Sequence, residues 1–123
     1  MSYLTDRKRA TGMGSAKSGT EHHWSMTVSS GALLILIPLF VFTFGPMLGA
    51  SYEEVTAYFA RPFPAVVAAL TMIVTFKHFA DGVQALIEDY VHGLAQKVAI
   101  VAMTCISYAA MAVGLYAIVR LAL

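Results

Sequence analysis

The chain has 123 residues, enough for one domain, and 59% of them are hydrophobic against 12% charged. Soluble domains average about 25% charged residues, so the composition argues against an ordinary soluble fold. The formal net charge of +1 offers no electrostatic footprint for nucleic acid or for an acidic partner. The single cysteine, Cys105, excludes a disulfide framework and a cysteine-based metal site; its place in an apolar run predicts a packing role.

Residues 1–25 read as a polar tail, rich in Gly, Ser and Thr, with Arg7, Lys8, Arg9 and Lys17. No short apolar region with a small-residue cleavage site follows this basic start, so it does not read as a secretory signal. Residues 26–123 read as an all-α integral membrane domain with three spans, at about 28–48, 63–88 and 98–120. A hydrocarbon core about 30 Å thick needs roughly 20 helical residues, and each apolar run is long enough. Helices are the expected spanning form because each satisfies its own backbone N–H and C=O groups. Pro38 lies inside the first span, where it predicts a kink, and Gly45-Pro46 marks that helix's exit. In the segment 49–62, the spacing of Tyr52, Val55, Tyr58 and Phe59 predicts a short amphipathic helix on the membrane interface. Arg61-Pro62-Phe63-Pro64 reads as the start of the second spanning helix, since proline is tolerated in a first turn. Asp89 to Gln96 is expected to form the connection to the third.

Three spans place the tail and the second connection on one side of the membrane. That side holds five basic residues, Arg7, Lys8, Arg9, Lys17 and Lys97, against two, Arg61 and Arg120, on the other. The positive-inside rule therefore predicts a cytoplasmic N-terminus.

Ionisable residues are concentrated in the second span, where each is costly in a bilayer and is a functional candidate by default. A neutral His78 there could coordinate a metal. One histidine cannot build a zinc site of about four ligands. It can supply one axial ligand to a haem, with the second from another chain, or it can hydrogen-bond a neighbouring helix. Lys77 and Asp81 are four apart and can meet on one helix face. They form a mutually neutralising pair, or Lys77 pairs with a haem propionate. Asp89 and Tyr90 follow His78 by roughly 16–18 Å along the helix axis. A phenol there can donate a hydrogen bond to a carbonyl, and a carboxylate beside it can help supply protons. An interfacial tyrosine and a loop-capping acid are the plainer readings of the same pair.

The run His78-Phe-Ala-Asp-Gly82-Val-Gln84-Ala-Leu-Ile87-Glu88-Asp89-Tyr90-Val91-His92-Gly93 resembles the hydrophobic membrane-anchor subunit of succinate dehydrogenase, respiratory complex II, in its alphaproteobacterial and mitochondrial-type branch. The three-span layout, the chain length and a tail ending in His22-His23-Trp24 extend the resemblance to most of the sequence. The resemblance implies that His78 is an axial ligand of haem b, shared with a cytochrome b membrane subunit. It implies that Tyr90 hydrogen-bonds a ubiquinone carbonyl, with Asp89 as its acidic neighbour. It also implies an iron–sulfur subunit completing the quinone site, a flavoprotein subunit carrying the succinate site, and a place in the bacterial inner membrane. Members of the family often carry Gln-Arg near the start of the first helix, where this chain has Ser25-Met26-Thr27, and a basic residue at the position of Ala80. Lys77 offers a charge on the other side of the histidine.

His22-His23 reads as a partner or solvent contact before a metal site, and His92 as facing the iron–sulfur subunit or solvent. Met72, Met103 and Met111 read as packing residues, and Ala110 with Gly114 as a small-xxx-small pair permitting close helix approach. A fumarate reductase anchor would use the same electron path with a low-potential quinol. A small transporter or assembly factor is the alternative from another class, but no internal repeat is visible. The basic-residue asymmetry sets the first expectation. Reporter fusions at positions 50 and 94 should be active as exported reporters at 50 and inactive at 94; the opposite pattern inverts the topology.

Overall fold

In a computed structural model of the chain, residues 3–15 and 19–123 are described. Lys17, counted among the basic residues of the tail, lies outside them. Among the described residues there is no strand, and the order is five α-helices with one 3-10 turn. Helix α1 (Asp6–Thr11) is a short exposed turn of the tail, capped by the Thr5 side chain, which accepts from the Lys8 backbone N–H at 3.3 Å.

Helix α2 (Gly19–Phe44) begins well before the first apolar run. The polar stretch Gly19–Ser25 is therefore wound into the first spanning helix instead of ending the tail. The apolar run sets where the lipid is, and helix can propagate beyond it once nucleated. Helix continues through Pro38, which lacks the N–H that would bond four residues back. A 3-10 turn at Gly45–Met47 then ends the element, as the Gly-Pro pair predicts. Helix α3 (Tyr52–Phe59) is the expected short amphipathic helix, opened by a capping box. The Ser51 hydroxyl accepts from the Glu54 N–H at 3.3 Å, and the Glu54 carboxylate accepts from the Ser51 N–H at 2.8 Å.

Helix α4 (Pro62–Tyr90) starts at the predicted prolines and runs unbroken to the Asp89-Tyr90 pair. Helix α5 (Gly93–Ala122) follows after two residues, Val91 and His92. The connection is thus much shorter than the 89–96 segment expected from polarity. Gln96 and Lys97 are polar but helical, and the turn is made instead by Gly93, whose φ of +72° suits a residue without a Cβ. Three helices, residues 19–47, 62–90 and 93–122, are long and apolar enough to cross a membrane. At 1.5 Å per residue the last two are each about 44–45 Å long, so their ends reach beyond a hydrocarbon core about 30 Å thick.

Helix α4 is central, packing against α2 on one side and α5 on the other, while α3 packs on α4 and α5. Small residues set the approach. A Cβ on Gly114 would lie 2.7 Å from Met72 Cε, so the methionine occupies the space the glycine leaves between α5 and α4. A Cβ on Gly82 would meet Met26 Cε at 3.8 Å, bringing α4 against α2. The buried hydrophobic residues are few: Phe59, Val67, Ala68 and Ala80. Leu34 is 79% exposed, Phe42 78% and Val113 70%, along helices with no charged residue nearby to hold them in water. Such surface needs lipid or a protein partner over it, and the chain is a multi-pass membrane protein. Cys105 is exposed on α5, so it does not pack within this chain as its apolar setting suggests.

Several buried hydroxyls are satisfied along their own helices, whereas Thr75 Oγ1 on α4 is buried without a hydrogen-bond partner among the described residues. Thr43 donates to the Leu39 carbonyl at 2.8 Å, and Thr71 to the Val67 carbonyl at 2.7 Å. Ser107 meets Met103 Sδ at 3.1 Å, giving that methionine a local packing role. These bonds remove the cost of a lone hydroxyl in an apolar setting.

Candidate functional site

The polar groups of the interior gather where α2 crosses α4. His78 Nδ1 lies 2.8 Å from the hydroxyl of Ser29, which is buried on α2. The Ser29 oxygen also lies 2.7 Å from the Ser25 carbonyl and 3.1 Å from the Met26 carbonyl. A hydroxyl has one proton to give, and the short contact to Ser25 directs it there. Ser29 then accepts from the Nδ1–H of a neutral imidazole, a tautomer assigned here from donor counting. That tautomer leaves the Nε2 lone pair available, as a metal-ligating histidine requires. His78 therefore does hydrogen-bond the neighbouring helix, and this bond orients the ring without consuming its second nitrogen.

One turn away, three side chains close a triangle. Lys77 Nζ donates to Asp81 Oδ2 at 2.6 Å and to Ser25 Oγ at 2.7 Å, and Ser25 Oγ donates to Asp81 Oδ2 at 2.7 Å. The neutralising pair read from the i,i+4 spacing is thus formed, with Ser25 on α2 tying it across the seam. Asp81 is the more buried partner, its side chain 15% exposed against 45% for Lys77. The ammonium has three protons and two are engaged, so a third faces outward. Beside it an open, almost wholly apolar groove of about 590 Å³ runs between α2 and α4, lined by Trp24, Ser25, Ser29, Val74 and Lys77 among others. Helix α2 also buries His22 Nε2 without a hydrogen-bond partner.

Asp89 and Tyr90 stand apart from this cluster. They end α4, roughly 16–18 Å from His78 by helical rise. Both are exposed, Tyr90 by 79%. His92 is exposed at the start of α5 and makes no capping bond through its side chain. Among the described residues no group of three His, Cys, Asp or Glu side chains could hold a metal ion alone. Any metal held by His78 therefore needs its other ligands from a cofactor or from another chain.

Ser25, Ser29 and His22 escape a reading based on apolar runs, because all three lie on the polar side of the boundary or on its edge. The signal was present in the spacing: 22, 25 and 29 follow helical periodicity into the first span.

Three helices able to cross a bilayer, with few buried side chains and a broad apolar surface, define a multi-pass membrane protein. Comparison with known proteins gives the class a family. The model of the succinate dehydrogenase/fumarate reductase transmembrane subunit matches residues 1–119. A Paracoccus denitrificans protein described as succinate dehydrogenase hydrophobic membrane anchor subunit is 46% identical over 123 residues, covering 100% of this chain and 95% of the relative. No solved structure matches. The chain belongs to the succinate dehydrogenase/fumarate reductase transmembrane subunit family.

The triangle makes a stability prediction. Asp81→Ala leaves the Lys77 ammonium at the seam without its carboxylate, and should destabilise the solubilised protein by about 1–3 kcal/mol. Replacing both with apolar residues, Lys77→Met with Asp81→Leu, should recover most of that loss. Thermal unfolding of the three variants measures it, and equal losses for the single and double variants would remove the charge pair as the cause.

Proposed function

We propose that this chain is the membrane anchor of succinate:ubiquinone oxidoreductase, holding haem b through His78 and forming part of the ubiquinone reduction site with Asp89 and Tyr90. The observation that carries the reading is the Ser29–His78 hydrogen bond at 2.8 Å, which sets one ring nitrogen and leaves the other for iron. The full relative's name supports succinate dehydrogenase over fumarate reductase. The residues fit a haem in three respects. His78 supplies a neutral nitrogen, Lys77 keeps a free ammonium proton for a propionate, and the groove that Lys77 and Ser29 line is mostly apolar, with Glu21 on its wall and His78 itself behind Ser29 and outside the lining. When bound, the haem supplies a one-electron redox centre within the membrane. A further protein ligand would come from a cytochrome b membrane subunit, since this chain has no other histidine within the central part of its spans.

Each residue has a separate task. Ser29 fixes the tautomer of His78. Asp81 and Ser25 hold Lys77 on the groove side of α4, so that its remaining proton meets an acidic group without a search through rotamers. The unbroken α4 holds the imidazole at one depth and the Asp89-Tyr90 pair near the surface. The Tyr90 hydroxyl donates to a ubiquinone carbonyl, orienting the ring and favouring the charge that builds on that oxygen during reduction. The Asp89 carboxyl, exposed to solvent, passes protons toward the same oxygen. Reduction of ubiquinone to ubiquinol takes two electrons and two protons. The electrons originate at succinate in a flavoprotein subunit and reach the site through an iron–sulfur subunit. Both Asp89 and Tyr90 are exposed in this chain, which suits a site completed by those neighbours. The tail is cytoplasmic and the protein resides in the bacterial inner membrane.

The test uses the assembled complex. Tyr90→Phe keeps the ring and removes one hydroxyl, worth about 0.5–1.5 kcal/mol net and more where a buried partner is left alone. Succinate–ubiquinone activity should fall roughly tenfold, taking 1.36 kcal/mol per decade. Succinate oxidation with an artificial acceptor upstream of the membrane should not change. His78→Ala should in parallel abolish or shift the b-type absorbance. An assembled complex with both activities and the spectrum unaltered in these variants overturns the assignment.

A further inference from the structure

We propose that the membrane face opposite the tail carries a binding site for one phospholipid headgroup bearing a primary ammonium, with Arg61 taking the phosphate and Glu54 the ammonium. The site is a pocket of about 380 Å³ between the 3-10 turn and α3, lined by Pro46, Met47, Glu54, Tyr58 and Arg61 among others. Pockets for small ligands span about 300–1,000 Å³, so the volume suits a headgroup. It lies well away from the His78 seam and from the Asp89-Tyr90 end, and nothing in the proposed electron path uses it.

The charges are placed for a zwitterion. Arg61 is the residue before the first turn of α4, where the helix end is itself electropositive. An acidic residue in that turn would be the usual compensation, and there is none. Pro62 and Pro64 lack N–H groups, so the guanidinium is the principal donor there. Among the described residues no carboxylate lies within ion-pair distance of Arg61. Its guanidinium carbon instead lies 5.8 Å from the centre of the Tyr58 ring, which fixes the side chain against α3 while leaving its donors open. A planar guanidinium with free donors matches a phosphate in a two-point contact.

Glu54 supplies the opposite charge on the same pocket wall. Its Oε2 accepts from the Ser51 N–H at 2.8 Å and the Ser51 hydroxyl at 2.9 Å, while Oε1 has no partner among the described residues. The Ser51 backbone N–H first, and its hydroxyl second, hold the carboxyl below the usual carboxylate range. It is therefore anionic at neutral pH with one oxygen to spare. Glu54 and Arg61 do not pair with each other, which keeps both available. Leu48 and Phe63, next to the pocket in sequence, are 72% and 63% exposed and give acyl chains an apolar surface to follow. A phosphate alone would need no Glu54, and an anionic lipid without an ammonium would be repelled by it. The pocket therefore favours phosphatidylethanolamine over phosphatidylglycerol.

The proposal is tested on the whole complex, delipidated in detergent and titrated with phosphatidylethanolamine, phosphatidylglycerol or water-soluble glycerophosphoethanolamine while lipid-bound species are counted by native mass spectrometry. The parent should retain one more phosphatidylethanolamine than Arg61→Gln, whose apparent affinity at that site falls roughly five- to tenfold. Arg61 makes no capping bond through its side chain, so the variant keeps the start of α4. Glu54→Gln should retain phosphatidylethanolamine and phosphatidylglycerol about equally, because Gln keeps an acceptor for Ser51 and loses the charge. Equal retention of both lipids by the parent overturns the proposal. So does an Arg61→Gln variant with undiminished lipid, or glycerophosphoethanolamine that competes as well as the lipid itself.

Discussion

A bilayer interior offers no water to polar side chains, so such groups gain most from a partner on a neighbouring helix or on their own backbone. The contact between Ser29 on α2 and His78 on α4 supplies that partner for the most consequential of them. The register of the two helices follows from it, because the next turn must bring Ser25 to Lys77 and Asp81. Gly82 lies opposite Met26 at the same seam, where even a Cβ would make only an ordinary contact at 3.8 Å. On its other side α4 is held chiefly by shape, with Met72 filling the space beside Gly114, and by one bond at the helix end, from the Gln96 side-chain amide on α5 to the Glu88 carbonyl at 3.4 Å. Within the membrane, one side of the central helix is thus specified by side-chain hydrogen bonds and the other chiefly by volume.

This division bears on how a membrane subunit holds a histidine in one orientation with few side chains packed around it. Few side chains are buried, so packing inside the chain contributes little rigidity. The hydrogen bonds at the seam are directional and lie in a low-dielectric setting, where they are stronger than at a surface. They give His78 a defined tautomer and Lys77 a defined rotamer before any partner arrives. The broad apolar surface that remains is left for lipid and for the other subunits of the complex.

The sequence announced the three spans, the amphipathic α3 and the proline-led start of α4 because each depends on local composition or on turn chemistry. Composition misplaces the beginnings and ends of helices where polar residues remain helical. Gly19–Ser25 looks like tail and is helix, and Gln96 and Lys97 look like a loop and lie inside α5. His78, Lys77 and Asp81 were legible as costly residues in a span, and the Lys77–Asp81 pair followed from spacing on one helix. Their partners Ser25 and Ser29 were not, since no local pattern tells which serine on one helix will face a given histidine 49 positions later. Asp89 and Tyr90 were legible as a polar pair at a helix end, but only the resemblance favours a quinone role, as their geometry in the chain is that of any exposed helix end.

The two-residue link between α4 and α5 bears on how the chain enters the membrane during synthesis. Helix α4 carries Lys77, His78 and Asp81, and a lone charged residue at the centre of an inserting helix costs about 2.5–3.5 kcal/mol. Helix α5 has no charge from Val98 until Arg120 and partitions readily. Tied by Val91 and His92 alone, the two cannot separate across the bilayer surface, so the eager helix draws in the reluctant one. The ion pair then forms within α4 itself and needs only Ser25, already emplaced on α2, to complete it. Lengthening that link would uncouple the two insertions and leave the more polar helix to enter the lipid unaided.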